Sequence, residues 1–172
     1  LLLCHFFINT NYKTQQNGNN KSIQEIEEYI LNVTSYRAKI RVTVSSNKNA
    51  NFYEFEQVVK GESYSRQLAL SPDSLAGMEI IFENGIITVQ NTKYSLSQIY
   101  ENYPYATTNS LYLTSFIEGY RTSESKEIKE TEGKIQMSYI PKINKYNNKH
   151  VLYIDKASLE PKKLQVYDIN NE

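Results

Sequence analysis

Apolar and polar side chains alternate from residue 36 to 44, with Tyr36, Ala38, Ile40, Val42 and Val44 interleaved with Arg37, Lys39, Arg41 and Thr43. A period of two puts one set on a buried face and the other in water, so this segment predicts a long strand. After a polar turn at 46–49, Tyr53, Phe55, Gln57 and Val59 take one face of a second strand, and Phe52, Glu54, Glu56 and Val58 take the other. A third strand, 63–70, sets Tyr64, Arg66, Leu68 and Leu70 against smaller polar residues. Three such strands joined by short turns read as an antiparallel meander, to which the remaining segments add cover or continuation.

Upstream, Ser22-Ile23-Gln24-Glu25 is a capping box, and Ile23, Ile26, Ile30 and Val33 recur at helical spacing. This amphipathic helix is expected to lay its apolar stripe on the concave side of the meander. Downstream, Pro72 ends the third strand because it has no amide to donate. Asn84-Gly85, between the apolar runs 78–82 and 86–89, predicts a tight hairpin. Residues 94–105 are polar and aromatic and read as a loop or a short helix. Ser110 can cap a second helix carrying Leu111, Phe116 and Ile117 on its apolar face, with Leu113 off the stripe and Gly119 just past its end. Glu132-Gly133 joins a further hairpin, 126–131 with 134–140, and 151–154 with 163–169 form a last pair. About nine strands and two helices result, giving an α+β, mainly β fold: a strongly curved antiparallel sheet, an incomplete β-barrel with the helices on its open side.

Composition adds limits. The 172 residues suit one domain and carry a formal charge of zero, so no global field favours nucleic acid. The 15 tyrosines suit half-buried strand positions. With a single cysteine, Cys4, no intrachain disulfide can form. Its surroundings, Leu1-Leu2-Leu3-Cys4-His5-Phe6-Phe7-Ile8 followed by an Asn- and Gln-rich stretch, read as the end of an export signal entering a tether. Residues 1–20 are therefore expected as signal remnant and flexible tether, and 21–172 as the folded domain. The Leu-x-x-Cys match makes Cys4 a candidate for lipidation, with Leu3 standing where a small residue is usual.

Catalytic constellations are scarce. His5 and His150 have no second His, Cys or close Asp in sequence to complete a metal or triad signature, and His150, at a strand entrance, reads as solvated. Asp73, Asp155 and Asp168 fall in or beside turns, and Glu54 and Glu56 lie on a face expected to be wet. Phosphate-cradling, nucleophile-elbow and zinc-helix patterns are absent from the sequence. The reading is a protein that is not an enzyme and takes no cofactor.

Several segments occur in a telling order: Tyr53-Glu54-Phe55-Glu56-Gln57, Tyr64-Ser65-Arg66, Leu70-Ser71-Pro72, Leu75-Ala76-Gly77 and Asn84-Gly85, then the run 112–120, then Tyr153-Ile154-Asp155, Leu159-Glu160-Pro161 and Val166-Tyr167-Asp168. Over residues 22 to 170 this order resembles the LolA/LolB-like lipoprotein superfamily and, within it, the clostridial germination lipoproteins. The resemblance implies an incomplete β-barrel around helices. It also implies a non-enzymatic spore lipoprotein that binds and activates a cortex-specific N-acetylmuramoyl-L-alanine amidase, enabling muramic-δ-lactam modification of cortex peptidoglycan and germination. The zinc of such a system belongs to the amidase. The implied location is exported, membrane-anchored or in the intermembrane space of the developing spore. The superfamily's other role, carrying an acyl chain in an apolar cavity, is the alternative; inward polar side chains such as Tyr36, Gln57 and Tyr64 argue against a dry lipid pocket.

Two expectations concern partners. Tyr100, Tyr103, Tyr105, Tyr112 and Phe116 give the segment 100–120 an aromatic density suited to binding the amidase, the other use of these rings being to fill the open side of the barrel. An open barrel also leaves an edge with unpaired main-chain groups, which predicts a homodimer by edge pairing or strand exchange.

Overall fold

The computed structural model describes residues 2–8, 18–45, 48–101, 110–141 and 147–168. Eleven strands form one antiparallel sheet. The first half comprises β1 (Leu2–Ile8), β2 (Ser35–Ser45), β3 (Ala50–Lys60), β4 (Tyr64–Ser71), β5 (Met78–Glu83), β6 (Ile86–Asn91) and β7 (Leu96–Glu101). The second comprises β8 (Ser125–Thr131), β9 (Lys134–Ile140), β10 (Asn147–Asp155) and β11 (Pro161–Asp168). Helix α1 (Ile23–Leu31) precedes β2, and α2 (Leu113–Thr122) separates the halves.

The spatial order is β7-β6-β5-β4-β3-β2-β1-β11-β10-β9-β8. Each half is a meander of hairpins, and β1 lies at the seam. It pairs with β2 from Leu2↔Val44 to Ile8↔Ala38, and with β11 from Leu2↔Val166 to His5↔Lys163. The expected division at residue 20 therefore has no counterpart in the sheet: Leu2–Ile8, read as signal remnant, is an interior strand. A short apolar run has no internal periodicity to separate a signal from a strand buried among neighbours, and here the strand won.

Both helices lie on one face of the sheet. The capping box is present, with Ser22 Oγ accepting the Glu25 amide and Glu25 Oε2 accepting the Ser22 amide. Ile26 and Ile30 bury completely on the same core as Ala38, Ile40, Leu113, Phe116, Ile135 and Leu164. Burying each such side chain stabilises by roughly 1.5–3 kcal/mol. Flat spacing would put β3 and β9 about 24 Å apart, yet α2, about 15 Å long, has its first turn against β2 and β3 and its Gly119 against β9. The sheet curls around the helices and stays open between β7 and β8.

The hairpins at Asn84-Gly85 and Glu132-Gly133 form as expected, each with two successive positive φ angles (49° and 87°, 51° and 74°), the mirror-image turn that matches strand twist. Elsewhere the pattern misled. In β4 the inward positions are Ser65, Gln67 and Ala69 rather than Tyr64, Arg66 and Leu68, because α2 and its approach crowd this part of the concave face and only small side chains, or an amide that meets Gln57, fit there. Residues 96–101 form a strand where a loop or short helix is expected. All six are exposed, so neither face shows the polarity contrast that marks a strand. Helix α2 starts after Tyr112 rather than Ser110 and runs through Gly119 to Thr122.

Candidate functional site

The aromatic segment expected to bind a partner divides in two. Tyr103 and Tyr105 lie outside the described residues. Tyr112, Phe116 and Tyr120 are buried, at 8%, 1% and 1% exposure, with Leu113 and Ile117 beside them. Phe116 packs edge-on against Tyr139, with ring centroids 5.3 Å apart, and stacks near Tyr120. These rings fill the concave side, and Tyr112 and Phe116 offer a partner almost no surface. Among the described residues of this set only Tyr100, on β7, is exposed.

A polar network places α2. Tyr112 gives the helix no side-chain cap; instead the Tyr36 hydroxyl accepts the Leu113 amide at 3.1 Å and donates to Gln57 Oε1 at 3.1 Å. Fully buried Gln57 in turn donates its amide to Gln67 Oε1 at 2.9 Å and to the Leu111 carbonyl at 3.3 Å. Four elements are thereby locked by inward polar groups, each partnered, as buried groups must be. Sequence reasoning placed Tyr36 and Gln57 inward but could not see that they meet the helix start.

A second buried pair sits beneath α2. His150, expected to be solvated, is 6% exposed; its Nδ1 lies 3.2 Å from the Tyr139 hydroxyl, and the rings stack at 4.8 Å. Burial pushes the His150 pKa down to about 4 and the Tyr139 pKa up to about 12. The sequence hid this because one strand of the apolar face carries the histidine at a position whose cross-strand neighbour, Tyr139, supplies its partner. Tyr120, donating to Glu27 Oε1 at 2.7 Å, also has its pKa raised, by burial first and then by Glu27. The pair ties α2 to α1.

The convex face is a field of cross-strand ion pairs. Lys39 and Arg41 meet Glu54, and Arg66 reaches Glu56 and Glu79, whose other oxygen accepts from Gln90. Hydrogen bonding to Arg41 and the charge of Lys39 hold the Glu54 pKa below the usual carboxylate range. Asp155 closes its turn by accepting from the Ser158 amide and hydroxyl, three residues on. Cys4 belongs to β1, its main chain paired with Val42 on one side and Leu164 on the other, rather than to a free tether. Among the described residues no group of three or more His, Cys, Asp or Glu side chains could hold a metal ion, and no helix is long and apolar enough to cross a membrane.

The wing formed by β5, β6 and β7 extends beyond this core. Its strands supply no member of the buried hydrophobic cluster, and Met78, Ile86, Leu96, Ile99 and Tyr100 are 36% to 65% exposed.

The model of the YdcC-like sporulation protein family matches residues 1–172. The chain belongs to that family. Its fold is similar to a chain in the structure of the CwlD amidase from Clostridioides difficile in complex with the GerS lipoprotein. The TM-score is 0.53 and the identity 28%, over 86% of this chain and 85% of that one. Two further solved structures are similar at lower levels. A LolA superfamily protein from Nitrosomonas europaea gives a TM-score of 0.42 and 15% identity over 88% and 74% of the two chains. An outer membrane lipoprotein-sorting protein domain from Vibrio parahaemolyticus gives 0.45 and 13% over 87% and 72%. No curated protein matches the chain. For this member of the family, the mainly β sheet with two helices and an open side is the architecture the alternating sequence predicts.

Proposed function

We propose that the protein is a non-enzymatic sporulation protein that binds and activates a cortex-specific N-acetylmuramoyl-L-alanine amidase, so that cortex peptidoglycan acquires muramic-δ-lactam. The observation that carries this reading is the 28% identity, over 86% of the chain, to a chain of the amidase–lipoprotein complex, in a member of a sporulation family. A protein with no chemistry of its own can raise an enzyme's activity only by binding its active state more tightly than its inactive one. Zinc, in this scheme, is held by the amidase. Export to the envelope of the developing spore, a membrane tether and a homodimer belong to the same proposal. Cys4, the candidate for lipidation, lies in β1 between β2 and β11.

The carrier alternative fits the core less well. Leu113, Phe116, Ile117, Ile26 and Ile30, each 5% exposed or less, occupy the concave side where an acyl chain would lie. The deciding experiment deletes the gene in the source organism and analyses spore muropeptides by mass spectrometry. Loss of muramic-δ-lactam, with amidase protein still present, is the expected result; normal lactam content overturns the proposal. Bound acyl chains in the purified protein would point to the carrier.

A further inference from the structure

The two edges of the sheet are built differently. β8 carries Lys126, Glu127, Lys129 and Glu130 within seven residues. Charge on both faces of an edge strand is how natural sheets prevent another chain from adding a strand. β7 has one charge, Glu101, at its last position, with Leu96 and Ile99 65% and 62% exposed on opposite faces. Among the described residues no strand lies beyond it. An edge with a charge only at its end and apolar side chains on both faces is an aggregation hazard unless a partner covers it.

We infer that β7 is the docking edge for the amidase: an extended segment of that enzyme adds to the sheet as a twelfth strand. This rests on the amidase-binding reading above. Main-chain pairing along β7 supplies affinity, and alternate side chains of the incoming segment pack on Leu96 at the concave face and Ile99 at the convex one. Charge sets its direction. Glu83 and Glu101 flank Ile86 in one cross-strand row of the convex face, and neither has an ion-pair partner among the described residues. Lys93 lies before the other end of β7. The incoming segment therefore carries an arginine or lysine where it meets Glu101. A second copy of this chain fits less well. In the fully overlapped antiparallel register its Leu96, not a cation, faces Glu101, and two six-residue strands alone bury less than the roughly 1,200 Å² of a stable interface.

The test uses the full chain and the CwlD-type amidase of its source organism. Hydrogen exchange should show the β7 amides that point away from β6 exchanging freely in the protein alone and protected at least tenfold in the complex. The double variant Leu96→Lys/Ile99→Lys should weaken binding roughly tenfold or more while melting like wild type, since both side chains are exposed. Ser125→Lys on β8 should leave binding unchanged. Protection in the free chain of the β7 amides that point away from β6, protection that grows with protein concentration alone, or unaltered affinity of the double variant overturns the inference. If wild type binds and the variant binds equally, only the edge is wrong; if wild type retains no amidase, the amidase-binding reading falls and this inference with it.

Discussion

The Tyr36 hydroxyl, on β2, accepts the backbone amide of Leu113 and so caps helix α2 from 77 positions away in the chain. Helices usually satisfy their first amides with a local Ser, Thr, Asp or Asn, and α2 begins after Tyr112, which provides no such oxygen. The same hydroxyl donates to buried Gln57. Tyr36→Phe leaves both groups short of a partner and should destabilise the protein by about 1–3 kcal/mol, read from the urea midpoint. Exchange of the Leu113 amide should accelerate by more than the global loss explains.

Gly119→Ala reverses an ordinary expectation. At an exposed mid-helix site the change stabilises by about 1 kcal/mol. Here an added Cβ would stand 2.2 Å from the Tyr139 hydroxyl and 2.4 Å from its ring carbon, so helix and sheet must part. A loss of about 1–3 kcal/mol is expected, visible as a lower melting temperature.

Acid should weaken the fold through His150. Its folded pKa is about 4 against an ordinary 6.5, so the unfolded chain binds the proton more readily. Stability is therefore full above about pH 6.5 and declines as the pH falls toward 4, by up to about 3 kcal/mol from this group. His5, also depressed by partial burial and then by Lys163 and Arg41, adds to the same trend. His150→Phe should flatten the stability profile between pH 6.5 and 4 relative to wild type, measured by denaturant titration at each pH; an unchanged slope would show that the histidine is not buried neutral.

Phe116→Ala separates packing from recognition. At 1% exposure the ring belongs to the core, and removing it should cost about 3–5 kcal/mol. Amidase binding, corrected for the folded fraction in an equilibrium titration, should stay at the wild-type value.

What the sequence made legible follows from contrast. β2 alternates sharply between apolar and charged residues, and Asn84-Gly85 names its own turn, so both could be read directly. β7 has no such contrast, because neither of its faces is buried, and β1 has none because it is apolar apart from His5. Gly119 read as a helix stop, since nothing local announces that a tyrosine ring from β9 needs its missing side chain. Of the aromatic residues grouped as a binding surface, Tyr112 and Phe116 went to the core. Their type suits either use, and only the position of α2 over the concavity decides between them.

The seam strand also bears on the order in which the protein can be assembled. Leu2 pairs with Val166, which is synthesised long after it. Until β11 exists, β1 has one neighbour at most, and the main-chain groups along its other side remain open to any passing chain. Contacts this far apart in sequence close slowly, because the entropy of a long loop must be overcome before they form. The sheet therefore completes late, after β11 has been made, and the early strands need shelter during the interval.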